Sequence, residues 1–164
     1  MLVSSQIEAG GYRMVNEEIN LSETLTYIVD NFKARYVTRN IVSDIQESMY
    51  VHADKILLEI VMSNLLENAM KYSTKTEEVL IKAYPGKKQC IIECIDKGPG
   101  IPRAEQKKIF NKFYRLGNEA TKTSKGTGLG LYLARKIIKA HKGNIFVKDN
   151  TAGGSTFTIT LPLA

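Results

Sequence analysis

A chain of 164 residues with 43% hydrophobic and 24% charged side chains has the length and composition of one globular domain with its own core. No apolar run approaches the roughly 18 to 20 residues that span a bilayer, and Met1 is not followed by a basic stretch, an apolar core and a small-residue cleavage site, so neither membrane contact nor a secretory leader is expected. The net charge of +6 would suit a nucleic acid if it were clustered, but Lys87-Lys88, Lys107-Lys108 and the Arg135/Lys136/Lys139 group lie in separate segments without interleaved aromatics, which excludes it as an expected partner.

Residues 1–13 read as the tail of a helix that ends at Gly10-Gly11, with the rest of that helix expected upstream. Asn20-Leu21-Ser22 supplies caps for a second helix, with Leu25, Ile28, Val29 and Phe32 at three- and four-residue spacing. Short strands are predicted around Ile41–Ile45 and Ser48–His52. Asp54 then opens a long helix from Lys55 to about Tyr72, whose apolar face is predicted as Ile56, Leu57, Ile60, Val61, Leu65 and Leu66. Strands Glu78–Tyr84 and Gln89–Asp96 flank Pro85-Gly86-Lys87-Lys88, a hairpin connection. A short helix and the aromatic cluster IFNKFYRLG follow. Residues Gly117–Thr127, polar and without apolar periodicity, are predicted to be a mobile loop. A glycine-rich start leads into a helix from Leu129 to His141, and strands Asn144–Asp149 and Ser155–Leu161 close the chain around Gly153-Gly154. The class is α/β with strands mostly paired antiparallel. Cys90 and Cys94 fall on one face of a strand as core thiols, and with no disulfide or metal set around them the expected compartment is the cytoplasm.

Three segments carry possible chemistry. Asn64 and Asn68 stand four apart on the long helix and so project from one face, where two amides are costly unless hydrogen-bonded or liganded; their carbonyl oxygens suit a hard cation such as Mg²⁺. A pair of solvent-facing amides is the plainer alternative. Asp96-Lys97-Gly98-Pro99-Gly100 ends a hydrophobic strand, so the carboxylate can accept from a ligand amine and the glycines allow close approach, although an ordinary turn has the same composition. Gly126-Thr127-Gly128-Leu129-Gly130 opens a helix, where free amides favour phosphate, yet it matches neither the P-loop nor the dinucleotide fingerprint.

In their order and separation these segments resemble the catalytic domain of sensor histidine kinases in the GHKL ATPase superfamily. NLLENAMKYS resembles the asparagine box, DKGPGIP the first glycine box, IFNKFYRLG the phenylalanine box and GTGLGLYLARKII the second glycine box. The likeness runs from about residue 20 onward, and QIEAGGYRM is similar to the end of the family's dimerisation helix. The resemblance implies a two-layer α/β sandwich of the Bergerat type, with a mixed sheet under helices and an ATP lid between Arg115 and Gly126 held by Phe110 and Phe113. It implies a division into residues 1–13, a remnant of the dimerisation helix and linker, and an ATP-binding catalytic domain over 14–164. ATP and Mg²⁺ are the implied cofactors. Asn68 would coordinate Mg²⁺ with Asn64 beside it, Lys71 would contact phosphate, and Tyr72 would pack near the nucleotide. Asp96 would recognise adenine, with Gly98, Gly100 and Ile101 at its wall, while Gly126, Thr127, Gly128, Leu129 and Gly130 would form the phosphate end.

The family phosphorylates a histidine on a preceding helical hairpin, and neither histidine present, His52 nor His141, fits that setting; both are expected to be structural. The implied partners are therefore the protein's own dimerisation and phosphoacceptor domain and a response regulator, and the resemblance is compatible with a parent protein anchored in the inner membrane. Gyrase-like and chaperone-like ATPases carry an acidic residue where Asn64 stands, which argues against them. An anti-sigma-factor-type serine kinase or a degenerate nucleotide-sensing module are the remaining alternatives.

Overall fold

Local capping sets where the helices begin, and the sheet follows from alternation. A computed structural model describes residues 2–115 and 128–164. In chain order the elements are α1 (Leu2–Glu8), β1 (Glu17–Asn20), α2 (Leu21–Arg35), β2 (Asn40–Ile45), β3 (Tyr50–Ala53), α3 (Lys55–Tyr72), β4 (Glu78–Pro85), β5 (Gln89–Ile95), two single 3₁₀ turns (Arg103–Glu105 and Lys108–Phe110), α4 (Gly130–Ala140), β6 (Asn144–Asp149) and β7 (Ser155–Pro162). Asn20 caps α2 by accepting from the Glu23 amide at 3.2 Å, and Asp54 caps α3 by accepting from the Leu57 amide at 3.1 Å. Among the described residues no side chain caps α4. Its first-turn amides are left for something else to satisfy.

Five strands form one sheet in the order β2-β4-β5-β7-β6, every pair antiparallel except β2 with β4. That parallel pair is possible because β3 and α3 intervene and carry the chain back across the sheet. One face of the sheet presents Val79, Ile81, Ala83, Cys90, Ile92, Cys94, Phe157, Ile159 and Leu161, all buried under the helices. The two cysteines are free and lie in this layer, and burial pushes the Cys90 thiol up to about 11. These are inert core thiols.

The helix layer departs from the sequence reading at α3. Its buried residues are Leu57, Leu58, Val61, Met62, Leu65, Leu66, Ala69 and Met70, whereas Ile56, predicted on the apolar face, is 54% exposed. Nine residues separate Ile56 from Leu65, about two and a half turns, so the two cannot share a face. A second difference is β1, which pairs antiparallel with β3 away from the main sheet. Its sequence EEIN buries only Ile19, too little alternation to read as a strand. The strand predicted at Ser48–His52 begins instead at Tyr50, because Ser48 turns the chain with φ of 62°. The expected short helix after DKGPGIP is the pair of 3₁₀ turns.

His141 ties the layer together. Its Nε2 accepts from the Asp54 amide at 3.0 Å and its Nδ1 donates to the Ile137 carbonyl at 2.8 Å, so a neutral ring joins the end of α4 to the start of α3. His52 is exposed on β3. Among the described residues, no helix is long and apolar enough to cross a membrane.

Candidate functional site

The C-terminal half of α3, the turn that follows β5 and the start of α4 enclose a cavity of about 690 Å³. This is within the range of about 300–1,000 Å³ common for small-molecule sites. Its apolar wall is Ile101, Ile109, Tyr114, Leu131 and Phe157, with Phe110 buried behind Phe157 in an edge-on contact at 6.1 Å. Polar groups gather at its two ends.

At one end stands Asp96, 4% exposed. Its Oδ1 accepts from the amides of Gly98 at 2.9 Å and Ser155 at 3.3 Å, while Oδ2 has no hydrogen bond among the described residues. Burial pushes its carboxyl above the ordinary carboxylate range; the two amides act in the opposite direction and the Glu77 charge adds to the rise. The surrounding wall comes from the β6–β7 hairpin. The Ile101 amide donates to Asp149 Oδ1 at 2.9 Å, Asn150 Nδ2 donates to the Asp96 carbonyl at 3.2 Å, and Gly154 packs so closely that a Cβ there would lie 2.0 Å from the Asp96 carbonyl oxygen. Gly154 at φ of 91° is thus required twice over, by backbone angle and by space.

Along the cavity α3 presents Asn64 at the other end and then, toward Asp96, Glu67, Asn68 and Lys71. Asn64 Nδ2 donates to the Gly130 carbonyl at 3.1 Å, which leaves its Oδ1 as the atom available to a ligand. The half-buried Asn68 amide makes no hydrogen bond among the described residues. Burial lowers the Lys71 ammonium from its ordinary value, and the nearby positive charge of Arg115 lowers it further. Lys71 thus places a cation on the cavity wall, where it favours an anion beside it. Gly128 and Gly130 border the cavity at the start of α4. A Cβ on Gly128 would lie 2.7 Å from the Phe113 backbone, where the Phe113 amide donates to the Gly128 carbonyl at 3.0 Å.

The structure therefore brings together Asn64, Asn68, Lys71, Tyr72, Asp96, Gly100, Ile101, Gly128 and Gly130. Gly98 and Leu129 are not among the lining residues. Gly98 serves packing instead: a Cβ would lie 2.7 Å from the Tyr72 carbonyl, so glycine lets the end of α3 meet the turn after β5. Leu129 precedes α4, and its carbonyl accepts from the Leu133 amide. Gly126, Thr127 and the predicted mobile loop lie outside the described residues. The Phe113 ring is 65% exposed and its backbone, at φ of 64°, meets Gly128; the lid that it is expected to hold lies outside the described residues. Sequence reasoning missed Glu67, Arg115, Asp149, Asn150 and Ser155. Glu67 had a signal, since it lies three residues from Asn64 and four from Lys71 on the same helix.

The family described as "Histidine kinase-, DNA gyrase B-, and HSP90-like ATPase" matches residues 53–164. The chain is 31% identical over 169 aligned residues to the sensor histidine kinase WalK of Bacillus subtilis (strain 168), covering 99% of this chain and 27% of WalK, so it spans about a quarter of that relative. The solved catalytic domain of histidine kinase ThkA superposes at a TM-score of 0.78 and 27% identity, covering 91% of this chain and 96% of that one. Histidine kinase ThkA in complex with the response regulator protein TrrA shares the fold at a TM-score of 0.79 and 23% identity, over 99% of this chain and 47% of that one. With the matched segment holding both ends of the cavity, the chain belongs to the histidine kinase-, DNA gyrase B- and HSP90-like ATPases as a catalytic, ATP-binding domain of the histidine kinase type.

Proposed function

We propose that the domain holds ATP with Mg²⁺ across this cavity and presents the γ-phosphoryl group to a histidine on a segment outside the chain, for onward transfer to a response regulator aspartate. The observation that carries the reading is the polarity of the cavity. On one side stands a buried carboxylate whose Oδ2 faces no donor among the described residues, and on the other the Lys71 ammonium and the N-terminal turn of α4 face phosphate.

Asp96 accepts from the exocyclic amine of adenine, Gly100 and Ile101 form the wall beside the base, and Tyr72 packs near the nucleotide. Gly98 supports that wall from behind. Lys71 binds phosphate oxygens, joined by Arg115, and Gly128, Gly130 and the first turn of α4 take the remaining phosphate charge, with Gly126, Thr127 and Leu129 completing the glycine-rich run. The donors present fit Mg²⁺: the Asn64 and Asn68 side-chain oxygens and the Glu67 carboxylate are hard ligands that leave room for water and phosphate. When bound, the ion neutralises phosphate charge. In the transfer the bond from the γ-phosphorus to the ADP oxygen breaks and a bond to the acceptor imidazole nitrogen forms. Positioning and charge stabilisation supply most of the catalysis.

His141 is buried between helices and His52 stands on β3, and neither lines the cavity. This supports an acceptor outside the chain, on the dimerisation hairpin whose end residues 1–13 would represent, with 14–164 as the catalytic domain. The same reading places the domain in the cytoplasm, without membrane or nucleic-acid contact of its own.

The test is calorimetric titration of a non-hydrolysable ATP analogue, with and without Mg²⁺, into the wild type, Asp96→Ala and Asn68→Ala, followed by phosphotransfer from ATP to an added helical hairpin carrying the acceptor histidine. One-to-one binding that is lost in the first variant and Mg²⁺-independent in the second, with label appearing on the hairpin, is the expected result. Binding without transfer would favour a nucleotide-sensing module, and no wild-type binding would overturn the assignment of the site.

A further inference from the structure

The last turn of α3 carries two residues of the cavity, Lys71 and Tyr72, and it ends without a glycine: the sequence runs Lys-Tyr-Ser-Thr. An α-helix leaves its final carbonyls unsatisfied, and a glycine in the left-handed conformation commonly closes them. Here Ser73 is extended, and after its own amide no backbone donor returns to the helix among the described residues. The donors come from Arg39, more than thirty residues earlier in the loop between α2 and β2. Its Nη1 donates to the Met70 carbonyl at 2.9 Å, and its Nη2 donates to Ser73 Oγ at 2.8 Å and the Ser73 carbonyl at 3.5 Å. Ser73 Oγ in turn donates to the Ala69 carbonyl at 2.7 Å.

We infer that Arg39, outside the cavity, is a positioning residue for nucleotide binding, its planar fork fixing the last turn of α3 so that Lys71 and Tyr72 stand at the phosphate and base positions. Three features favour this over simple capping. The fork grips Met70 and Ser73, which bracket Lys71 and Tyr72 in the chain. The Tyr72 carbonyl is meanwhile held against Gly98, beside Asp96, so the same turn is clamped on two sides and its register against Asp96 is set. Lys71 Nζ sits 5.2 Å from the centroid of the Tyr72 ring, so a small rotation of the turn moves both groups together. The arrangement is also imperfect as a cap, because the Arg39 Nε is buried without a partner. Lysine would remove that orphaned donor and keep the charge at the helix end, but it cannot span two acceptors in a fixed plane.

That difference supplies the experiment, which rests on Lys71 and Tyr72 contacting nucleotide. Affinity for a non-hydrolysable ATP analogue with Mg²⁺ is measured by calorimetry, and nucleotide-free melting by circular dichroism, for Arg39→Lys and Arg39→Ala, alone and in a Lys71→Ala/Tyr72→Ala background. Val29→Ala, in the core of α2, serves as a control of reduced stability. Arg39→Lys is expected to melt within about 3 °C of wild type yet bind about fivefold more weakly, and Arg39→Ala about tenfold. Both losses should shrink below about twofold in the Lys71→Ala/Tyr72→Ala background, since a residue acting through those two has nothing left to position. The Val29→Ala control should melt lower and bind as wild type. Equal losses in both backgrounds, or wild-type affinity in a folded Arg39 variant, would overturn the inference and leave a plain helix cap. Should Arg39→Ala fail to fold, Arg39→Lys carries the same criteria. If the Lys71→Ala/Tyr72→Ala protein itself binds as wild type, the site reading is wrong and the inference falls with it.

Discussion

Two carboxylates, Asp54 and Asp96, are buried among the described residues, and their surroundings drive them in opposite directions. Asp54, at the start of α3, is 2% exposed and accepts from the Tyr12 hydroxyl at 2.9 Å, the Val15 amide at 2.8 Å and the Leu57 amide at 3.1 Å. Burial alone would raise its carboxyl, but these donors, with the Ile56 amide, outweigh it and hold the group below its ordinary value. Asp96, at the end of β5, has two amides on one oxygen and none on the other, and burial wins. A carboxylate whose acceptor capacity is filled by its own chain is a fastener. One left half filled, with a cavity in front of it, is a receptor for a donor that arrives later.

Substitution can break that contrast. The largest expected effect is on Asp96→Ala, which should weaken nucleotide binding roughly 30- to 150-fold, the loss of a charge-assisted hydrogen bond of about 2–3 kcal/mol, with thermal stability unchanged or higher. Asp54→Ala should do the reverse: unfolding in urea should show a loss of about 2 kcal/mol, while affinity measured well below the melting temperature stays at the wild-type level. If either variant lost both properties equally, the division of roles between the two aspartates would fail.

The pH dependence sharpens the same comparison. Asp54 is lowered in the folded state, so its stabilisation is present above the ordinary value of 3.8 and is lost as pH falls through its lower folded value. Asp96 is raised, so it carries no penalty below 3.8, and stability declines as pH rises from there through its folded value. Urea midpoints between pH 3 and 7 should accordingly fall less steeply on acidification in Asp54→Asn than in wild type, and the decline toward neutral pH should flatten in Asp96→Asn. The smallest effect is expected from Tyr12→Phe, which removes one of the donors to Asp54 and should cost about 1 kcal/mol in the same denaturation experiment.

The asymmetry also explains what could be read in advance. Asp54 was legible as a cap because its donor, the Leu57 amide, is three residues away, and Asp96 was legible through its glycines. The strands β4 to β7 and helices α2 to α4 were likewise visible, since each carries its own apolar period. What escaped was contributed by partners distant in sequence. Nothing near Asp149, Asn150 or Ser155 shows that the β6–β7 hairpin completes the wall around Asp96, more than fifty residues back. Tyr12 reaches Asp54 across 42 positions, and Arg39 reaches Met70 across 31. Ile56 misled for a related reason: composition marks it as core, but its angle around α3 turns it to solvent.

The edge position of β2 has a consequence for how the domain opens. An edge strand paired on one side only is the first part of a sheet to detach, whereas β5, paired on both sides, yields last. The residue immediately before β2 is Arg39. Hydrogen exchange in the nucleotide-free protein should therefore find the β2 amides exchanging well before those of β5. With them should go the amide of Ser73 at the end of α3, since the fluctuation that frees the strand also withdraws the guanidinium from that helix end.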